Sequence, residues 1–158
     1  MAAELLLKYG ANVNATNPVQ MTPLHCAAAH GNESMVRLLL FHKAGVHGRD
    51  DRGNTPLNKV GSAQGATAPT QIYKMLLEHG ADVNTVNNDG WTPLFRIALG
   101  YRLLTGEQED LQTIDLLLAY KAEISVTDKS GHTLMQVALR HPGQTNVVAR
   151  LRQHGAKE

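Results

Sequence analysis

The chain is poor in several features on which enzymes and nucleic-acid-binding proteins depend. Only 4% of its 158 residues are aromatic, so few rings are available to stack on bases or to line an enzyme pocket. The single cysteine, Cys26, excludes an internal disulfide and is typical of a cytosolic or nuclear protein. Fifteen basic residues balance fourteen acidic ones, so no bulk charge attracts nucleic acid or an anionic membrane.

Sequence motifs for catalysis, metal binding and membrane insertion are also lacking. The apolar run near the N-terminus is only three leucines long and has no basic leader, which fits neither a signal peptide nor a membrane span. Eight histidines include no H-E-x-x-H pair, and no nucleophile elbow, Walker motif or G-x-G-x-x-G is present. We therefore predict no enzyme, no metal and no cofactor. A catalytic site assembled from His and Asp residues of separate segments is the alternative.

What the chain does have is a repeated segment. Thr-Pro-Leu begins at Thr22, Thr55 and Thr92, and a weaker copy, Thr-Leu-Met, begins at Thr133. From 22 to 55 is 33 residues, from 55 to 92 is 37, and from 92 to 133 is 41. A leucine-rich triplet follows each of the first three copies and also precedes the first. Such recurrence indicates an array of similar structural units.

One unit can be predicted from its residues. Thr22 is a good helix N-cap, and Pro23 suits the first helical position. A short alanine-rich helix should therefore start there and end at Gly31, and a second helix with a wide apolar stripe should run over about 32–42. The polar, turn-rich segment that follows predicts a hairpin tip.

These residues resemble the ankyrin repeat. The resemblance rests on the segment NPVQMTPLHCAA at 17–28 and on GADVN at 80–84, and it covers nearly the whole chain. It implies an all-α ankyrin-repeat solenoid of helix-turn-helix units joined by β-hairpin loops. The predicted single domain comprises a half repeat over 1–16, counted as repeat one, and repeats two to five over 17–49, 50–86, 87–127 and 128–156. Because the half repeat lacks its first helix, we expect the natural protein to extend upstream.

Some positions depart from the pattern. Gln20 and Lys43 stand where most units have glycine, which should cost about 1 kcal/mol at Lys43. His25 is expected to join a structural hydrogen-bond network with the threonine hydroxyl. In the final repeat, basic residues such as Arg150 are interpreted as a solvated cap, since no aromatics interleave with them for nucleic-acid binding.

Two repeats carry insertions between their helices. Four extra residues within 61–70 predict a flexible loop, because a phosphate-binding loop would require a lysine and a preceding strand. Eight extra residues within 100–113 include Glu107, Glu109 and Asp110, which lack calcium-binding spacing and are predicted to lie in a solvated loop. We expect both insertions to lie on the edge opposite the hairpin tips.

The resemblance places a partner-binding surface on the concave side, at the tips and inner helices. The residues predicted to bind a partner are Met21, His30, Asp51, Arg52, Asn54, Asn88, Asp89, Trp91, Lys129, His132 and Arg140. Trp91, Met21, Arg52 and His132 are the predicted anchors, although Trp91 could instead pack between adjacent tips.

The predicted function is recognition of a protein partner by a monomer, without nucleic acid or membrane. An unusual enzyme or small-molecule binder using the same groove, and a structural spacer, are the alternatives.

Overall fold

The computed structural model describes residues 2–66, 69–99, 107–141 and 144–157. Within this part of the chain all regular secondary structure is helical, apart from one isolated antiparallel bridge between Thr127 and Thr133. The helices are α1 (Ala2–Lys8), α2 (Pro23–Ala29), α3 (Glu33–Phe41), α4 (Pro56–Lys59), α5 (Thr70–Glu78), α6 (Pro93–Ala98), α7 (Glu107–Ala119), α8 (Leu134–Arg140) and α9 (Thr145–Gln153).

The helices stack in two rows. The inner row consists of α2, α4, α6 and α8, each packed on the next, and the outer row of α3, α5, α7 and α9 follows the same order. Each inner helix also packs on the outer helix of its own repeat. The buried leucines, isoleucines, valines and alanines form one continuous core along the stack. The predicted solenoid and all-α class are confirmed.

Each inner helix begins at a threonine. The hydroxyls of Thr22, Thr55, Thr92 and Thr133 each accept the backbone N–H three residues ahead. In the first three of these helices, proline occupies the first helical position. The repeated Thr-Pro therefore marks the helix starts, as the sequence predicts.

The outer helices end in one recurring backbone geometry. After α3, the N–H of Lys43 donates to the Leu40 carbonyl at 2.9 Å and the N–H of Ala44 to the Leu39 carbonyl at 2.9 Å, which is a Schellman motif. The same pair of bonds closes α1, α5, α7 and α9. Three of these ends use glycine at the left-handed position, whereas Lys43 and Lys121 adopt φ of 61° and 66° there. The predicted left-handed lysine is confirmed at Lys43.

Replacing Lys43 by glycine should stabilise the protein. A side chain in the left-handed region is strained, and glycine relieves that strain at the cost of a more flexible unfolded chain. We expect Lys43→Gly to raise the free energy of unfolding by about 0.5–1 kcal/mol. Lys121→Gly should have a similar effect, because Lys121 has a similar backbone conformation. The two effects should add in a double variant, because the two sites are distant. Urea unfolding measures both effects, and unchanged or lowered midpoints for both variants would contradict the strain.

The repeat-three insertion contains no helix over 61–66, in agreement with the predicted loop, but the start of this loop is anchored. In repeat three, the N–H groups of Gly61 and Ala63 donate to the carbonyls of Ala28 and Ala29, each at 3.0 Å, so this end of the insertion is fixed to the preceding repeat. In repeat four, residues 100–106 lie outside the described residues.

The acidic residues placed in the repeat-four loop are wrongly assigned by the sequence. Glu107, Glu109 and Asp110 all lie in the first turns of α7, and Asp110 is only 6% exposed. Carboxylates near a helix N-terminus interact favourably with its unpaired N–H groups, which accounts for a helix here. The side chains of Glu107 and Glu109 lie outside the described part of the structure.

The last outer helix is attached to its neighbour by an ion pair. Arg150 of α9 donates through Nη1 to both carboxylate oxygens of Asp115 on α7, at 2.9 and 2.7 Å. Arg150 is therefore not simply a solvated cap residue, because its guanidinium joins the last two outer helices.

Candidate functional site

Four short tip loops, at 17–21, 50–54, 87–91 and 128–132, line up along one side of the stack. Each begins with Asn or Asp, whose side-chain oxygen accepts backbone N–H groups two and four residues ahead. A backbone bond from the first residue to the carbonyl of the last closes each loop. The tips are thus rigid side-chain-capped turns, which is typical of Asn and Asp in tight loops.

Neighbouring tips are joined to one another. The N–H of Asp51 donates to the Val19 carbonyl at 3.1 Å, that of Asn88 to the Arg52 carbonyl at 2.9 Å, and that of Lys129 to the Asp89 carbonyl at 3.1 Å. One such bond per repeat fixes the spacing of the side chains that the tips present. The tips therefore form a preorganised surface.

A polar side chain at the third position of α2 and of α4 connects each of these two repeats to the next tip. In repeat two, Nδ1 of His25 accepts the N–H of Thr22 at 3.1 Å, while Nε2 donates to the Asn54 carbonyl at 3.0 Å. The predicted structural role of His25 is therefore confirmed. Burial lowers the pKa of the His25 imidazole below its ordinary value, and the Asn54 carbonyl and the Asp50 charge raise it by less.

Different side chains serve the same position in the other repeats. Asn58 accepts the Thr55 N–H at 3.2 Å and donates to the Trp91 carbonyl at 3.3 Å, which reproduces the His25 connection. Gln136 accepts the N–H of Thr133 in the last repeat. Phe95 stands there in repeat four and is fully buried, so that repeat replaces the polar connection by an apolar contact.

A cavity of about 680 Å³ opens between repeats three and four on the concave side. One side is formed by tip residues, and the other by the repeat-three insertion. It is lined by Arg52, Asn54, Lys59, Gly61, Ser62, Ala63, Gln64, Gly65, Ala66, Asn87, Asp89, Trp91 and Arg96. The insertion and the tips therefore border the same cavity from two sides, with the single turn of α4 between them. We call this space the groove cavity.

A chain of polar side chains lies along the tip side of the groove cavity. Asn54 donates from Nδ2 to the Asp50 carboxylate at 3.1 Å, and its Oδ1 accepts from Nδ2 of Asn87 at 3.0 Å. Nδ2 of Asn87 also lies 3.5 Å from Oδ2 of Asp89. Because these buried amides satisfy one another, the tips of repeats three and four are fixed in one relative position.

The predicted partner-binding residues separate into two groups. Four of them line the groove cavity, namely Arg52, Asn54, Asp89 and Trp91. The others lie outside its lining, on the tips or on the inner helices and their ends, namely Met21, His30, Asp51, Asn88, Lys129, His132 and Arg140.

Several of these side chains already have local partners. Nδ1 of His30 donates to the Cys26 carbonyl at 2.8 Å. Nδ1 of His132 lies 3.2 Å from Oδ2 of Asp128. Burial raises the pKa of the Asp128 carboxyl, but the hydrogen bonds from His132 and Ser130 lower it by more. Its pKa therefore lies below the ordinary value.

Two side chains are less exposed than the sequence predicts. Asn54 is only 4% exposed, because its amide links the tips of repeats three and four; its prediction as an exposed contact residue is wrong. Trp91 is half-buried and packs against the core while also lining the groove cavity. It thus combines the two alternatives considered for it, packing and presentation.

Sequence reasoning missed Lys59 and Arg96. Both line the groove cavity, and both lie four residues after the helix-starting threonine of their repeat. Aligning the two repeats on Thr55 and Thr92 would have placed these cations side by side on adjacent inner helices. That register was the signal that could have identified them.

The described residues hold neither a metal-binding cluster nor a membrane-spanning helix. Over 2–66, 69–99, 107–141 and 144–157, no three His, Cys, Asp or Glu side chains converge to hold a metal ion. In the same ranges no helix has both the length and the apolar character needed to cross a membrane.

Comparison with known proteins agrees with this geometry. The family model for ankyrin repeats, which represents three copies, matches residues 1–85 and 62–158. The chain belongs to the ankyrin-repeat family. Ankyrin repeats are general protein–protein interaction modules and are not catalytic.

The similar proteins are themselves ankyrin-repeat proteins. Human ankyrin repeat and SOCS box protein 6 is 34% identical over 147 residues, which cover 91% of this chain and 34% of that protein. Human ankyrin repeat and SOCS box protein 16 is 39% identical over 146 residues, covering 87% and 30%. An ankyrin repeat protein of Fowlpox virus is 29% identical over 141 residues, covering 85% and 38%. The chain thus spans about a third of the length of these relatives.

Proposed function

We propose that this ankyrin-repeat domain recognises a protein partner through its concave surface, with the groove cavity at the centre of the contact. The observation that carries the proposal is the arrangement around that cavity, where the Trp91 ring and the Arg52 side chain stand on two tips joined by hydrogen bonds. Tryptophan and arginine are the residues most enriched in binding hot spots. A rigid surface also loses little conformational entropy when a partner binds.

The domain would act by binding alone, as a monomer. The surrounding contacts would come from the other tips and inner helices, namely from Met21, Asp51, Asn88, Lys129, His132 and Arg140. The sequence relatives support an interaction role, and the partner is a matter for experiment. A cytosolic or nuclear location is part of the same proposal and follows from the single cysteine.

A comparative pull-down tests this function. We expect Arg52→Ala with Trp91→Ala to lose a protein that the unchanged domain retains from cell extract, because two hot-spot truncations weaken binding by roughly 30-fold or more. The matched control is Arg37→Ala with Phe41→Ala, which removes the same kinds of side chain from α3, where both are exposed. Circular dichroism and urea unfolding verify that both double variants are folded.

The pattern of retention decides between the alternatives. A protein retained by the unchanged domain and by the control, but lost from the groove variant, supports recognition through the concave surface. A protein lost equally from both variants, or from neither, contradicts it. If no protein is retained and a small molecule stabilises the unchanged domain against heat but not the groove variant, the small-molecule alternative replaces it.

A further inference from the structure

The groove cavity has more cationic than anionic side chains around it. Its lining carries the cationic side chains of Arg52, Lys59 and Arg96 against the carboxylate of Asp89, and the buried Asp50 carboxylate lies beside Lys59. The whole chain has a formal net charge of only +1. The excess of positive charge is therefore local, and a partly enclosed site increases its effect on an incoming anion.

Lys59 stands beside a carboxylate that is already well supplied with donors. Its Nζ lies 3.7 Å from Oδ2 of Asp50, which is buried. Oδ1 of Asp50 accepts from the backbone N–H of Arg52 at 3.0 Å and of Asn54 at 2.8 Å, and Asn54 Nδ2 contacts both oxygens. An ammonium has three donors, so this ion pair leaves Lys59 able to bind a second acceptor.

Arg52 is held by its backbone rather than through its side chain. Its N–H donates to Asp50 and its carbonyl accepts from Asn88, while the side chain is exposed and lines the groove cavity. A guanidinium in this position offers a planar fork of donors that matches a carboxylate. The tip therefore positions a cation without using up its hydrogen-bonding capacity in the contacts described.

The remaining lining is suited to a polypeptide. Trp91 supplies an aromatic surface beside the cations, and the insertion residues from Gly61 to Ala66 add small and polar side chains with a backbone. A volume of about 680 Å³ falls within the range of ligand sites and accommodates a few side chains. A site of this kind suits acidic residues next to an apolar one.

We propose that the groove cavity binds the carboxylate side chains of an acidic segment in the protein partner. This inference rests on the proposed function and names the chemistry of the partner. Arg52 and Lys59 bind the carboxylates, and Trp91 contacts an apolar side chain adjacent to them. Opposite charge supplies the selectivity, since a cationic segment would be repelled by Arg52 and Lys59.

Peptide selection followed by titration tests the inference. Random short peptides displayed on phage are selected on the purified chain, and the best peptide is synthesised together with a version in which every Asp and Glu becomes Asn or Gln. Binding is followed by the fluorescence of Trp91, the only tryptophan, which reports occupancy of this cavity. Selection should enrich Asp and Glu, and the amide version should bind about tenfold more weakly or worse.

Charge variants of the domain provide the complementary measurement. Arg52→Gln and Lys59→Gln should each weaken the acidic peptide by about tenfold and leave the amide version nearly unchanged. Arg37→Gln, on the exposed face of α3, should change neither affinity. Added salt should weaken binding of the acidic peptide more than that of the amide version.

Three other results would overturn the acidic partner, the place of the contact or protein recognition itself. Peptides that lack Asp and Glu but still change Trp91 fluorescence would overturn the acidic partner and leave protein recognition standing. Peptides that bind without changing Trp91 fluorescence would place the contact outside the groove cavity and overturn the inference. If no peptide is enriched while citrate or inorganic phosphate changes the fluorescence, the site binds small anions, and both proposals fail.

Discussion

Leu76→Ala should destabilise the protein by about 2–5 kcal/mol. Leu76 lies in α5 with no exposed surface, and its removal leaves a cavity between outer helices that pack on both sides. Because each repeat depends on its neighbours, the loss should lower the stability of the stack beyond this one helix. Urea unfolding followed by circular dichroism measures the change, which should appear in the midpoint with little change in slope.

The same repeat position offers a matched control. The carbonyls of Leu76, Leu39 and Leu6 all accept the second hydrogen bond of the Schellman motif, so the three leucines are equivalent in their helices. Leu39 is 2% exposed and should behave like Leu76, whereas Leu6 in α1 is 62% exposed. Leu6→Ala should change stability by less than about 0.5 kcal/mol. Equal losses at Leu6 and Leu76 would show that the packing of the stack differs from the one described.

The elements that the sequence predicts well are those determined by nearby residues. A helix that starts at Thr22 is fixed by the hydroxyl of Thr22 and the ring of Pro23, and both are visible in the sequence. The left-handed Lys43 is similarly implied by the glycines at equivalent positions. Local chemistry of this kind needs no knowledge of the rest of the fold, because the bonds involved join residues a few positions apart.

The sequence prediction fails where distant residues decide. Asn54 was expected to be exposed, yet its side chain pairs with Asn87, 33 positions away. The course of the repeat-three insertion depends on the carbonyls of Ala28 and Ala29 in the previous repeat. Composition alone indicates only a loop. The groove cavity arises from these long-range contacts, so its lining was only partly predictable.

The acidic start of α7 illustrates a different kind of failure. Here a local signal was present, since clustered carboxylates are common in the first turn of helices. The count of inserted residues predicts a loop instead, because it says nothing about which neighbouring element takes them up. The position of Asp110, 6% exposed in the second turn, shows that the inserted segment extends the outer helix as well as the connection.

His25→Ala should cost about 2–4 kcal/mol at pH 7.5. The imidazole is fully buried and satisfies the Thr22 N–H through Nδ1 and the Asn54 carbonyl through Nε2. Alanine leaves the buried Thr22 N–H without its partner, and an unpaired buried group costs roughly 1–3 kcal/mol. It also removes one of the two hydrogen bonds of the Asn54 carbonyl, which keeps the N–H of Asp50, and it leaves the space of the imidazole unfilled. Urea unfolding at fixed pH measures the loss. A cost below about 0.5 kcal/mol would mean that the inter-repeat connection contributes little.

His25→Asn is the informative companion, because Asn58 makes the equivalent connection in repeat three. We expect it to recover most of the stability lost in the alanine variant.

The two variants should also differ in how stability depends on pH. Burial lowers the pKa of His25 in the folded protein, so below about pH 6.5 the unfolded chain binds a proton that the folded chain does not. The contribution of His25 is therefore fully present above that pH and is lost as the pH falls towards the folded pKa. Asparagine does not titrate, so the stability of His25→Asn relative to the unchanged protein should rise as the pH is lowered from 7.5 to 5.5. A difference that stays constant over this range would show that His25 is not buried in its neutral form.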